Sequence, residues 1–160
     1  MPSLLRTLAF GSVLATLAPA AALTAQATDR AIGTWTLDVA KSKYSLTAMP
    51  KNLTLTYKTS GQGLTVSTTG VDAQGKPTAT GYTANYDGKD YPATGTPDYD
   101  TVSLTQIDAS TVQATRKKGG KVASTFQRVV SADGKVLTIT TKGTNAKGQT
   151  ATDVGVFEKQ

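Results

Sequence analysis

Leu53-Thr54-Leu55-Thr56-Tyr57-Lys58-Thr59-Ser60-Gly61-Gln62-Gly63-Leu64-Thr65-Val66-Ser67 is the stretch on which the fold turns. Leu53, Leu55 and Tyr57 alternate with Thr54, Thr56 and Lys58, the period-two pattern of a strand with one buried face. Ser60-Gly61-Gln62-Gly63 interrupts it, and glycine supplies the positive φ that a tight hairpin needs. Alternation resumes at Leu64-Thr65-Val66-Ser67. The segment reads as strand, turn, strand.

The same unit recurs along the chain. Val102-Ser103-Leu104-Thr105 and Leu137-Thr138-Ile139-Thr140 alternate in the same way. Asp72-Ala73-Gln74-Gly75, Asp87-Gly88-Lys89, Gly119-Gly120, Asp133-Gly134-Lys135 and Lys147-Gly148 punctuate at hairpin spacing. Candidate strands fall near 33–39, 52–59, 63–70, 77–86, 89–94, 100–107, 111–117, 121–130, 135–143 and 150–159. Ala40 to Lys51 is the one connection unlike a hairpin, and suits a short helical turn or a loop. No segment has the length and 3.6-residue period of an amphipathic helix. An antiparallel up-and-down meander of about ten strands has two edges, and closure into a barrel removes them. A β-sandwich is the rival architecture, but it asks for longer crossovers between sheets.

Composition narrows the chemistry. The 160 residues contain no cysteine and no histidine, which excludes disulfides, thiol nucleophiles, histidine triads and the usual zinc ligands. Lys+Arg is 17 against 11 Asp+Glu, a formal charge of +6. Residues 1–27 carry Arg6, a mostly apolar run from Leu8 to Leu17, and Ala25-Gln26-Ala27, the layout of a secretory signal peptide. The expectation is removal of 1–27, leaving 28–160 as a single β-barrel domain in the periplasm or outside the cell. The interrupted run is too short to span a membrane comfortably. Of 29 threonines, 26 lie after residue 27, and this β-branched residue suits a half-exposed pleated surface.

Gly33-Thr34-Trp35-Thr36-Leu37 resembles the Gly-x-Trp opening of lipocalins and intracellular fatty-acid-binding proteins, and Val156-Phe157-Glu158-Lys159 resembles the ending common in the fatty-acid-binding group. With the hairpins between them, the resemblance covers about residues 31–160 and implies an all-β, calycin-like barrel around a small apolar ligand. There are departures. The 40–51 connection is too short for the helix–turn–helix lid of the fatty-acid-binding group. Its Arg-x-Tyr carboxylate pair falls here on Gly155 and Phe157.

Residue types and strand parity nominate a site. Val112, Ala114 and Arg116 share one face, and Val122, Ser124, Phe126, Arg128 and Val130 share another. If the apolar members point inward, Arg116 and Arg128 do so too, and a buried guanidinium needs a partner such as a ligand carboxylate or phosphate. The alternative is an arginine at the strand end that snorkels to water or stacks on Trp35. The Gly119-Gly120 turn joins their strands, so the expectation is two nearby arginines with an anion between them. Tyr57, Tyr82 and Tyr86 belong to apolar parity sets, and with Phe126 they are candidate pocket walls or core filling. Trp35 reads as a plug at the closed end or as a ligand wall. Tyr91 and Tyr99 sit beside Pro92 and Pro97 and suit a loop at one barrel mouth. Asp87, Asp90, Asp98 and Asp100 read as turn formers rather than calcium ligands. Arg116-Lys117-Lys118 with Lys121 makes a basic hairpin tip, and Asn52-Leu53-Thr54 is a glycosylation sequon by pattern.

No nucleophile–base constellation is present. The reading is a non-enzymatic, exported barrel that binds a small hydrophobic or amphipathic ligand. It expects no cofactor, no metal site, no nucleic-acid partner and no stable membrane insertion once the leader is gone. The alternative is an envelope or secreted interaction protein, inhibitor-like, that uses loops on a filled scaffold.

Overall fold

Ten strands close on themselves in the computed structural model, which describes residues 28–160. They are β1 (Gly33–Leu37), β2 (Asn52–Ser60), β3 (Gly63–Val71), β4 (Pro77–Asn85), β5 (Tyr91–Thr94), β6 (Thr101–Gln106), β7 (Thr111–Lys118), β8 (Lys121–Val130), β9 (Val136–Thr144) and β10 (Thr150–Lys159). Each pairs antiparallel with its sequence neighbours, and β1 pairs with β10 to shut the ring. The proposed leader at 1–27 lies outside the described residues. No helix occurs among them. The connection from Ala40 to Lys51 is a loop whose only ladder contact is an isolated bridge between Lys43 and Val154.

Register explains why these residues take these places. Tyr57 faces Val66, Leu55 faces Thr68, and Val66 faces Tyr82, so one parity set lines the interior across β2, β3 and β4. The opposite parity lays threonine outside. Thr34 faces Thr56, and the hydroxyls of Thr65 and Thr83 meet at 2.8 Å. Such cross-strand pairs stabilise a sheet by roughly 0.2–1 kcal/mol each. Gly119 and Gly120 have φ of 54° and 76°, the two left-handed positions of a tight two-residue turn between Lys118 and Lys121.

One expectation of parity fails. A bulge between Arg116 and Lys117 shifts the pairing so that Lys117 faces Val122 while Arg116 faces Ser124. The extra residue turns Val122 outward, 63% exposed, instead of inward with Ser124 and Phe126.

The barrel has two unlike ends. At one end lie the turns at 60–63, 107–110 and 131–135, together with residues 29–32 and the last residues of β10. At the other lie the β1–β2 connection, the turn at 72–76, the β5–β6 loop, the Gly119-Gly120 turn and the β9–β10 turn. Inward positions near the first end carry Trp35, Tyr57, Leu64, Leu104, Val112 and Leu137, all buried. Inward positions towards the second carry Thr68, Thr80, Ser124, Thr141 and Gly155. Large side chains fill one half of the interior and small ones leave the other half open.

Candidate functional site

The closed end is a plug built from the first described residues. Ala31 is buried, and its carbonyl accepts a 2.7 Å hydrogen bond from the Trp35 indole Nε1. Trp35 itself has no exposed surface, and the Lys159 ammonium sits 5.2 Å from its ring centroid, a cation–π contact. Asp29 lies beneath. One of its oxygens accepts from the Ala31 N–H; the other accepts from Arg128 Nη2 at 2.5 Å and from the Tyr86 hydroxyl. Arg128 is 2% exposed and its guanidinium carbon lies 4.9 Å from the Tyr57 ring centroid. Burial pushes the Tyr57 phenol up, against the pull of Arg128. Burial and the Asp29 carboxylate push Tyr86 up as well, so both phenols stay protonated.

Above this plug an interior cavity of about 470 Å³ opens towards the other end. That volume is in the range of small-molecule sites. Leu46, Leu53, Leu55, Ile139 and Phe157 give it an apolar wall, and Thr68, Thr80, Ser124 and Thr141 give it hydroxyls. Gly155 is required for its shape. A Cβ there would lie 2.8 Å from the Phe157 ring and 3.0 Å from the Tyr44 hydroxyl. Arg116 is the cation in this wall, its guanidinium carbon 4.5 Å from the Phe126 centroid and 4.8 Å from the Tyr99 centroid. Its Nε is buried without a hydrogen-bond partner among the described residues.

Two carboxylates also line the cavity. Asp153 is spent on the β1–β2 connection, accepting from the Ser45, Leu46 and Thr47 amides and from the Thr47 hydroxyl at 2.6 Å. It thereby fixes the segment that lines the cavity with Tyr44 and Leu46. Asp98 is exposed in the β5–β6 loop. Burial, with the nearby Asp153 charge, pushes the Tyr44 phenol up to about 12, while Arg116 pulls the other way. A second depression of about 490 Å³ lies on the outer surface of β6–β9 and is lined mainly by hydroxyl and amide side chains such as Thr105, Gln113 and Gln127. The interior cavity is the better candidate because it joins an apolar wall to a half-buried cation.

Comparison with known proteins bears on the fold. No protein-family model and no curated protein matches the chain. Among solved structures, the zebrafish ileal bile acid-binding protein complexed with cholic acid is similar, with a TM-score of 0.52 and 12% identity, over 82% of this chain and 100% of that one. The barrel is calycin-like. An identity that low speaks to fold alone.

Within this calycin-like barrel the sequence candidates separate into two groups. Arg116 lines the cavity, and Phe126 backs its guanidinium. Arg128, Tyr57 and Tyr86 form the plug with Asp29, and Tyr82 packs against the core beside Tyr57. The two arginines therefore do not share an anion. Arg116 faces Ser124 and Arg128 faces Val112, four residues apart along the strands, and Arg128 has an internal carboxylate. Tyr99 stands at the mouth, whereas Tyr91 opens β5 and donates to Asp87. The aspartates work as turn caps and surface partners: Asp87 accepts from the Lys89 amide, Asp100 from the Gly119 amide, and Asp90 pairs with Lys117 at 2.8 Å. No group of three or more potential metal ligands occurs among the described residues.

Sequence reasoning did not single out Asp29, Tyr44 or Asp153. Asp29 meets Arg128 across 99 residues, and Asp153 meets Ser45 across 108, so neither contact has a local signature. The cavity did leave one: inward parity positions change from large apolar residues to threonine, serine and glycine.

Proposed function

We propose that this protein is an exported, non-enzymatic carrier that takes a small hydrophobic or amphipathic molecule into the open half of its barrel. The observation that carries the reading is the interior itself. Half of it is packed around Trp35 and the buried Asp29–Arg128 pair, while the other half is a cavity of about 470 Å³ with an apolar wall, hydroxyls and Arg116. The bound cholic acid of the similar zebrafish protein supports an amphipathic occupant. Export rests on the charged, apolar, Ala25-Gln26-Ala27 layout of the first residues. The cavity favours this reading over a filled scaffold that acts through its loops.

Native mass spectrometry of the purified protein, with organic extraction of the same sample, tests the carrier reading. The expected result is a stoichiometric small molecule released on denaturation. A ligand-free protein that also takes up no amphipath on titration would overturn it. Fractionation with N-terminal sequencing tests export, the expected result being a chain that starts at Thr28 outside the cytoplasm. An intact Met1 in the cytosol would end that part.

A further inference from the structure

The two inward arginines differ in what surrounds their N–H edges. Arg128 spends its edge on Asp29 inside the plug. Arg116 has no carboxylate partner among the described residues, and its contacts are the rings of Tyr99 and Phe126. Aromatic rings engage the faces of a guanidinium, whereas its five N–H donors lie in its plane. Arg116 thus keeps its charge in a half-buried aromatic setting, and its Nε has no acceptor among the described residues. We infer that Arg116 is the headgroup anchor of the cavity, and that it selects an amphipathic carboxylate. This rests on the carrier reading above.

Three observations fix the class of ligand. First, the cavity wall holds one cation, Arg116, and two carboxylates, of which Asp153 is fully engaged and Asp98 stands exposed at the mouth. Such a balance suits a single negative charge and disfavours a dianionic phosphate. Second, a planar carboxylate matches the guanidinium fork and can take two parallel hydrogen bonds. The Tyr44 phenol stays protonated through the physiological range and lines the same cavity, so it supplies a further hydroxyl donor. Third, Leu53, Leu55, Ile139 and Phe157 offer the apolar body of the ligand a wall.

The mouth suits the same class. Its turns and loops carry exposed Lys51, Lys76, Lys118, Lys121 and Lys147 against Asp72, Asp98 and Asp100, so lysine is in excess there. A positive rim raises the encounter rate of an anion and loses that effect as salt screens it. The anchor also differs from the pair that the fatty-acid-binding resemblance implies, because those places here are Gly155 and Phe157. A cation from β7 replaces a pair on the last strand.

The test is calorimetric titration of the purified protein with dodecanoate, 1-dodecanol and dodecyl phosphate, repeated on Arg116→Gln and Arg116→Lys. Wild type is expected to bind dodecanoate at least about tenfold more tightly than the alcohol or the phosphate. Arg116→Gln should weaken dodecanoate by about ten- to a hundredfold and leave 1-dodecanol unchanged. Arg116→Lys should restore part of the loss, since it keeps the charge but not the fork. The wild-type comparison of acid and alcohol stands even if a variant folds poorly. Equal affinity of wild type for acid and alcohol, or an unchanged dodecanoate affinity in Arg116→Gln, overturns the anchor and leaves the carrier reading intact. Tighter binding of the phosphate overturns the carboxylate assignment. Failure of wild type to bind any of the three overturns the carrier reading together with the anchor.

Discussion

Replacing Asp29 with alanine removes the carboxylate on which the whole closed end converges. It strips acceptors from the Ala31 amide, the Tyr86 hydroxyl and Arg128 Nη2 together. Arg128 is then left 2% exposed with no counter-charge. Removing one partner of a buried ion pair costs about 3–5 kcal/mol, because the survivor stays desolvated and unpaired. Against a total stability of about 5–15 kcal/mol for a domain, that is a large fraction. At a urea dependence of about 2 kcal/mol per molar, the midpoint should fall by about 1.5–2.5 M. The pair is not optimal for stability, since Arg128 Nε is buried without a hydrogen-bond partner among the described residues. A double replacement, Asp29→Ala with Arg128→Met, should therefore recover much of the loss, and the double-mutant cycle should show strong coupling. Urea melts followed by circular dichroism measure all four proteins. An Asp29→Ala variant within about 1 kcal/mol of wild type would refute the reasoning, since it would mean that Arg128 finds water or another acceptor.

Trp35→Ala should cost about 3–5 kcal/mol in the same melts, as expected for a large side chain removed from a full core, with ligand affinity per folded molecule unchanged. Gly155→Val should narrow the cavity, because its Cβ would stand 2.8 Å from the Phe157 ring and 3.0 Å from the Tyr44 hydroxyl; overpacking should cost about 1–3 kcal/mol, and calorimetry should show weaker dodecanoate binding. The amide of Ser110, followed by Thr111, holds the Asp108 carboxyl below its ordinary 3.8, and the Ser131 hydroxyl with the Lys135 amide does the same for Asp133. These groups contribute stability above the unfolded value and lose it as pH falls through the lower folded one. Melting temperature should thus decline as pH drops below about 4, and less steeply in Asp108→Asn; parallel declines in both proteins would reject this source of acid sensitivity.

Much of the fold is legible because the chain keeps one device throughout. Leu53-Thr54-Leu55-Thr56-Tyr57 and its analogues separate inside from outside residue by residue, and glycine-bearing turns separate strand from strand. Barrel closure follows from the same pattern, since a long meander with threonine on one face has nowhere else to put its edges. The β7–β8 bulge is different in kind. Arg116-Lys117 carries no mark that one extra residue will be accommodated opposite it, so Val122 falls on the wrong face. Parity places Arg116 and Arg128 inside but is silent on their partners, and partners decide their roles. Asp29 claims Arg128 across 99 residues, while Asp153 pins a loop that brings Tyr44 to the cavity wall.

Both ends of the described chain leave from the plugged base. Asp29 and Arg30 dock against Arg128, Ser110 and Ala132, and the Gln160 amide donates to the Thr34 carbonyl at 3.0 Å. The opening lies at the opposite pole. A tether, fusion or immobilising tag joined directly at residue 28 or at Gln160 therefore holds the barrel base-down, with its entrance facing away from the support. A peptide linking Gln160 to residue 28 would leave the entrance untouched, and new ends cut at Gly119-Gly120 would instead crowd the rim. The molecule has a built-in polarity of mounting, set by the docking of Asp29, Arg30 and Gln160 around the plug.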